Sequence, residues 1–258
     1  MTVTPGSSRR RHGRVTRPKR RCRTLVRTSR VARGTLEVTM LLRIRVRLPD
    51  RPGSLGSVAR TLGAAGADVV QMNVLERDNG RALDDFTVSW PSGAGIDRLV
   101  DGLGAVPGVD IVGVWPTVEP QGAFPDAALI GQLASAPARG AVTLTDAVPA
   151  LLSADWAALA ETGPGGARIA HASLGGLPDT ALPDLEPLRD RAFTAADGTQ
   201  YALTPMSPGG AAPDLALLVA RTGAPPFHRT EVFRLAQLVS AAQAVLRGTS
   251  ITDLVRTS

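Results

Sequence analysis

The sequence predicts an α+β protein with two successive lobes, a βαββαβ sandwich followed by a mixed sheet closed by a long helix. Three observations carry this. Leu41–Leu48 alternates between apolar residues and arginine, the period of a strand with one buried face. Two amphipathic helical patterns, Leu55–Leu62 and Ile96–Leu103, each stand between strand-like runs. Thr230–Leu246 is the clearest helical pattern in the chain, with Val232, Leu235, Ala236, Val239, Ala242 and Leu246 on one face.

In the first strand Leu42, Ile44, Val46 and Leu48 share a face. Arg43, Arg45 and Arg47 take the other and are expected to be solvated. The turn Pro49-Asp50-Arg51-Pro52-Gly53-Ser54-Leu55 follows. Pro52 suits a first helical position, where its missing N–H costs nothing. Leu55, Val58, Ala59 and Leu62 then recur at helical spacing, and Gly63 and Gly66 bracket the helix end. Val69–Glu76 reads as the second strand, with Val70, Met72 and Val74 in phase. Asp78-Asn79-Gly80 is a hairpin signal, because its central residues tolerate positive φ. Ala82–Trp90 is the third strand, with Phe86, Val88 and Trp90 in phase. After the loop Pro91–Gly95, Ile96, Leu99, Val100 and Leu103 form the second helix, and Val109–Trp115 the last strand. Right-handed crossovers then place both helices on one face of a single antiparallel sheet. That architecture serves many functions and identifies none.

The stretch Leu42–Trp115 resembles the ACT family of amino-acid-binding regulatory domains, and residues 40–117 are assigned to that domain. The feature that carries the resemblance is Asp50-Arg51-Pro52-Gly53-Ser54-Leu55, a D-x-P-G-x-L turn between the first strand and first helix. The resemblance implies a ferredoxin-like βαββαβ fold and an amino-acid effector held near this turn, across an interface between two copies. Carried over by position, Asp50, Gly53 and the Ser54 and Leu55 amides become ligand contacts. Asn73, on the second strand, falls where the family often has a polar contact, and Arg51 faces either the ligand carboxylate or solvent. The physical rationale stands beside the likeness. Amides at a helix start are unpaired and carry the positive end of the helix dipole, so they receive a carboxylate. Gly53 lets backbone and ligand approach closely, and Asp50 offers a charge to an ammonium. The competing reading is that Asp50 and Pro52-Gly53 only shape the turn and that Asn73 faces water.

Residues 118–126 carry Pro and Gly and read as a linker. Within 127–250, Ala127–Ala134 and Thr145–Leu152 read as helices, the second ended by Ser153. Ala154–Ala160 and Arg168–Leu174 are strand-like, separated by Gly163-Pro164-Gly165-Gly166. Leu185–Arg191 is expected to be helical. Ala196-Asp197-Gly198-Thr199 turns into a strand at Gln200–Met206, and Asp214–Arg221 is a Leu/Val-rich strand. The run Leu217–Gly223, then Pro226-Phe227-His228 and the terminal helix, resembles a divergent GAF-type sensor domain. The resemblance implies an α/β lobe whose degenerate pocket is empty and serves only packing or dimerisation, with a terminal helix able to pair with its copy in a dimer.

Charge is divided sharply along the chain. Residues 1–39 hold twelve basic residues, eleven Arg and Lys19, against the single acid Glu37, a net +11. The remainder holds 17 basic and 22 acidic residues, a net −5. The basic head has too little apolar periodicity to offset its ordering entropy and is expected to be disordered. Three readings apply to it: an over-extended start with Met40 as the true first residue, a tail that neutralises nucleic-acid phosphates, or a transit peptide.

Aromatic residues make up only 3%, so Ala, Val and Leu must fill the cores. Cys22 is the single cysteine, which excludes an internal disulfide and a cysteine metal site. No apolar run is long enough to span a membrane, and the body is expected in the cytoplasm. Neither a Walker loop nor a G-x-S-x-G elbow occurs. His12, His171 and His228 lack metal-ligand spacing. His171 is expected to be structural and His228 a solvent-facing turn residue. Asp84 and Asp85 alternate sides and form no dyad. Tyr201 and the three Trp are expected in cores or interfaces. No cofactor is expected. The expected function is a non-catalytic amino-acid sensor acting as a homodimer; the alternative is a nucleic-acid-associated regulator working through the basic head.

Overall fold

A computed structural model describes residues 39–118, 122–163, 165–176, 182–206 and 214–246. The basic head, with Cys22 and His12, lies outside the described residues, and so do the readings attached to it.

The N-terminal lobe runs β1 (Thr39–Pro49), α1 (Ser54–Ala65), β2 (Asp68–Asp78), β3 (Arg81–Pro91), α2 (Ile96–Gly104) and β4 (Asp110–Pro116). Its sheet has the order β2-β3-β1-β4 and is antiparallel throughout. Leu42, Ile44, Val46 and Leu48 of β1 meet Phe86, Val88 and Trp90 of β3 under Val58 and Leu62 of α1 and Leu99 and Leu103 of α2. The hairpin turns through Asn79 and Gly80, both at positive φ.

Three local expectations change. Gly53, at φ +91°, caps α1, so Pro52 stands before the cap rather than at the first helical position. Leu55 and Ala59 are exposed. Val70, Met72 and Val74 are in phase but 48%, 36% and 50% exposed, because β2 is the sheet edge, where the covering helices give them little shelter.

The C-terminal lobe holds α3 (Pro125–Ser135), α4 (Gly140–Leu152), β5 (Trp156–Gly163), β6 (Gly166–Ala172), β7 (Arg191–Thr194), β8 (Gln200–Met206), β9 (Asp214–Arg221) and α5 (Arg229–Val245). The antiparallel order is β6-β5-β9-β8-β7. The three helices cover one face around Leu144, Val148, Leu159, Leu217, Leu235 and Val239. On the other face Leu185 joins Tyr201, Leu203 and Leu218, with Tyr201 stacked on Phe193 at 5.2 Å. Helix α3 begins inside the stretch read as linker, with Pro125 in its first turn. The helix expected at Leu185–Arg191 is absent; the segment is irregular and β7 starts at Arg191. Pro187 removes a helical donor and pushes Glu186 towards extended backbone. Arg191 instead takes up the Asp184, Glu186 and Pro187 carbonyls.

The two carboxylates of Asp84-Asp85 do point apart. Asp85 receives Arg45, whereas Asp84 sits in register with Val46 and Val74, and its Oδ1 has no partner. Burial, with repulsion from Asp50 and Asp85, pushes the Asp84 carboxyl above its ordinary pKa against the pull of Arg77. A raised folded pKa means stability that is full in acid and lost as pH rises through that value. Asp84→Asn is therefore expected to gain about 1 kcal/mol at neutral pH, read as a higher urea midpoint. The gap should close on acidification; a variant no more stable at neutral pH contradicts this.

Candidate functional site

Two hollows flank the N-terminal sheet, one at the start of α1 and one where β2 meets the C-terminal lobe. Each draws on residues singled out in the sequence.

The α1 hollow measures about 530 Å³ and is lined by Arg51, Gly53, Ser54, Ser57 and Arg60, with Val106, Pro107 and Val109 opposite. Pro52 and Gly53 break the chain direction, and Gly53's left-handed conformation aims the helix start outwards. A Cβ at Gly53 would meet nothing within 4 Å, so the space beside it is open. Ser57 N–H and Oγ both donate to the Gly53 carbonyl, at 3.0 and 3.2 Å. Ser54 N–H reaches the Arg51 carbonyl at 3.3 Å, while Gly53 N–H has no partner among the described residues. Arg60 donates to Ser57 Oγ at 3.1 Å. The hollow thus presents two guanidiniums, two hydroxyls and an amide with no partner among the described residues.

Asp50 stands at the same turn but outside this lining. Its N–H holds the Gly80 carbonyl at 2.8 Å, tying the turn to the hairpin. Its carboxylate accepts both Nε and a terminal nitrogen of Arg77, at 2.9 and 2.8 Å. Leu55 is exposed and also outside the lining. Asn73 is on the other face of the sheet, in register with Asp85, and does not join the turn residues.

Asn73 instead lines the second hollow, a cavity of about 500 Å³ between β2 and helices α3 and α5. Beside it runs a buried ionic cluster. The strand face read as solvated is here the docking face for the C-terminal lobe: Arg45 is only 2% exposed, and only Arg47 of the three arginines faces water. Arg45 donates twice to Asp85, at 2.7 and 2.9 Å, once to Glu231 at 2.9 Å, and once to the Pro226 carbonyl. Arg221, 1% exposed, donates to both Glu231 oxygens and to the Leu152, Pro225 and Pro226 carbonyls. Trp115 lies 5.5 Å from the Arg45 guanidinium and 5.3 Å from that of Arg221, and Phe227 lies 3.9 Å from the latter. Although burial opposes its charge, the two arginines hold the Glu231 carboxyl below its ordinary pKa.

Helix α5 begins with a reciprocal cap. His228 Nδ1 accepts from Thr230 N–H, and Glu231 accepts from His228 N–H at 2.8 Å. His228 is therefore not a solvent-facing turn residue. With Nδ1 accepting, Nε2 meets Glu76 of β2 at 3.0 Å, and Arg229 reaches the other oxygen of Glu76 at 2.6 Å. The hydrogen bond to His228 pulls the Glu76 carboxyl below its ordinary pKa. His171 pairs with Asp146 at 2.9 Å, a contact between a strand and α4. Among the described residues no group of His, Cys, Asp or Glu suits a metal, and no helix is long and apolar enough to cross a membrane.

No protein-family model matches the chain, and no curated protein matches it. Solved structures align with parts of it. A GAF domain assigned to a sensor histidine kinase of Pseudomonas syringae pv. tomato is 14% identical over 51% of this chain and 92% of its own, with a TM-score of 0.37. A GAF domain/HD domain protein of Geobacter sulfurreducens is 16% identical over 45% of this chain and 95% of its own, with a TM-score of 0.33. A protein assigned as a glycine cleavage system transcriptional repressor is 13% identical over 81% and 93%, with a TM-score of 0.29. Likeness at this level says nothing of ligand or activity.

Proposed function

We propose that this is a non-catalytic regulatory protein whose N-terminal lobe binds a free amino acid at the α1 turn and passes the bound state to the C-terminal lobe. One observation carries the reading: a Gly53 amide with no partner among the described residues, at a helix start, opens into a hollow bearing Arg51 and Arg60. Amide, dipole and guanidiniums all favour a carboxylate there. Asp50 lies at the same turn but outside the hollow's lining, and in this reading it exchanges its exposed partner Arg77 for the ammonium. Arg45, joining Asp85 of one lobe to Glu231 of the other, supplies the route between lobes. The exposed Val70, Met72 and Val74 on edge strand β2 favour a second copy along that edge.

Thermal unfolding of the full chain with each of the twenty amino acids tests this. An amino acid at about 100 times its Kd should stabilise the fold by roughly 2.7 kcal/mol, or about 5–10 °C for a chain of this size. Arg51→Ala and Arg60→Ala should remove the shift without lowering the unliganded melting temperature. A panel that moves nothing, or a shift that survives both substitutions, refutes the turn site.

A further inference from the structure

The geometry points to the cavity between β2 and helices α3 and α5 as a separate binding site for a small monocarboxylate with an apolar body, seated on Arg43. The cavity is distinct from the α1 turn and its case is independent. Its floor is Arg43, flanked by the amides of Gln71 and Asn73, with Leu75, Phe124 and Leu151 as apolar wall. At about 500 Å³ it falls within the range of small-molecule sites.

The charges around it do not balance. Among the described residues Arg43, Arg45 and Arg221 share only Asp85 and Glu231, and all five side chains are at least 88% withdrawn from solvent. Asp85 is already taken by two hydrogen bonds from Arg45, and Glu231 by Arg45, Arg221 and the His228 amide. Arg43 is left with a 3.7 Å approach to Asp85. It makes no hydrogen bond among the described residues, and its Nε is buried without a partner. The other charged groups nearby neutralise one another: Arg234 grips Asp126, and Arg229 with His228 holds Glu76. Burial pulls the Arg43 pKa down from its ordinary value, with Asp85 opposing.

One cation left uncompensated among the described residues, at the floor of a half-apolar cavity, fits one anionic group attached to a hydrocarbon. A carboxylate matches the guanidinium fork in shape as well as charge. Gln71 and Asn73 supply further donors, and a branched or aromatic hydrocarbon body suits the wall of Leu75, Phe124 and Leu151. A phosphate dianion would over-neutralise the single excess charge.

The test uses the full chain with acetate, isovalerate and phenylacetate at about 10 mM, each against its neutral amide and against sodium chloride at equal ionic strength. Isovalerate or phenylacetate should raise the melting temperature more than acetate, and neither the amides nor chloride should do so. Arg43→Gln removes the excess charge, so its unliganded melting temperature should not fall, while its affinity for the carboxylate should drop at least tenfold. Asn73→Ala, farther from the ion cluster, should weaken binding several-fold and serves if Arg43→Gln folds poorly. Arg51→Ala should leave this binding untouched, which separates the site from the α1 turn. Equal shifts from the amides or chloride, or undiminished binding by Arg43→Gln and Asn73→Ala, overturn the proposal.

Discussion

Glu231→Gln is expected to lower stability by about 3–5 kcal/mol, the loss typical when one member of a buried ion pair is removed. Glu231 accepts from Arg45, from Arg221 and from the His228 amide at once. Glutamine preserves the volume but turns an NH₂ group towards donors, and leaves two buried guanidiniums sharing Asp85 with Arg43. Domains of ordinary stability hold only about 5–15 kcal/mol in all, so the melting temperature should fall by roughly 6–20 °C. The pH dependence gives a second readout. Glu231 is held below its ordinary pKa, so its contribution is present above the ordinary carboxylate range and lost as pH falls through the folded value. Wild type and variant should therefore converge in acid. Urea unfolding that shows a loss under about 1 kcal/mol at neutral pH would mean the cluster contributes little.

Gly113→Val is expected to destabilise by about 3 kcal/mol through overpacking between the lobes. Gly113 of β4 lies opposite Arg45, and a Cβ there would come within 2.4 Å of Pro225 Cγ and 2.7 Å of its Cδ. A proline ring has no free side-chain torsion with which to retreat. The turn must move, and with it the Pro225 and Pro226 carbonyls that receive Arg221 and Arg45. Calorimetry should show a fall of about 6–12 °C. Pro225→Gly, which clears the ring, should recover much of that loss in a double-mutant cycle. Additive effects would show that valine acts elsewhere.

Both Glu231 and Gly113 act through partners far away in the chain, Arg45 and Pro225. The strand-helix order of the N-terminal lobe was legible because each element carries its own period: Ile44 with Val46, Val58 with Leu62, Phe86 with Val88. The turn at Asp50–Leu55 was legible too, since Pro52-Gly53 before an apolar run marks a helix start. In the C-terminal lobe α5 stood out by its periodicity, whereas Leu185–Arg191 misled because its spacing ignores Pro187. The reciprocal cap of α5 had a partial signal, an acid at Glu231 three residues after His228.

What local sequence determines here is the set of secondary elements, their inward faces and the open helix start at Gly53. Those depend on residues within a turn or two of one another. Alternation at Arg43, Arg45 and Arg47 says only that the three share a face. It cannot say that Glu231, 186 residues after Arg45, arrives to cover it. Burial of Arg45, the isolation of Arg43 and the cavity beside Asn73 were decided by tertiary structure alone, because charge desolvation and pairing are set by what packs against a face, and packing partners have no period in the chain.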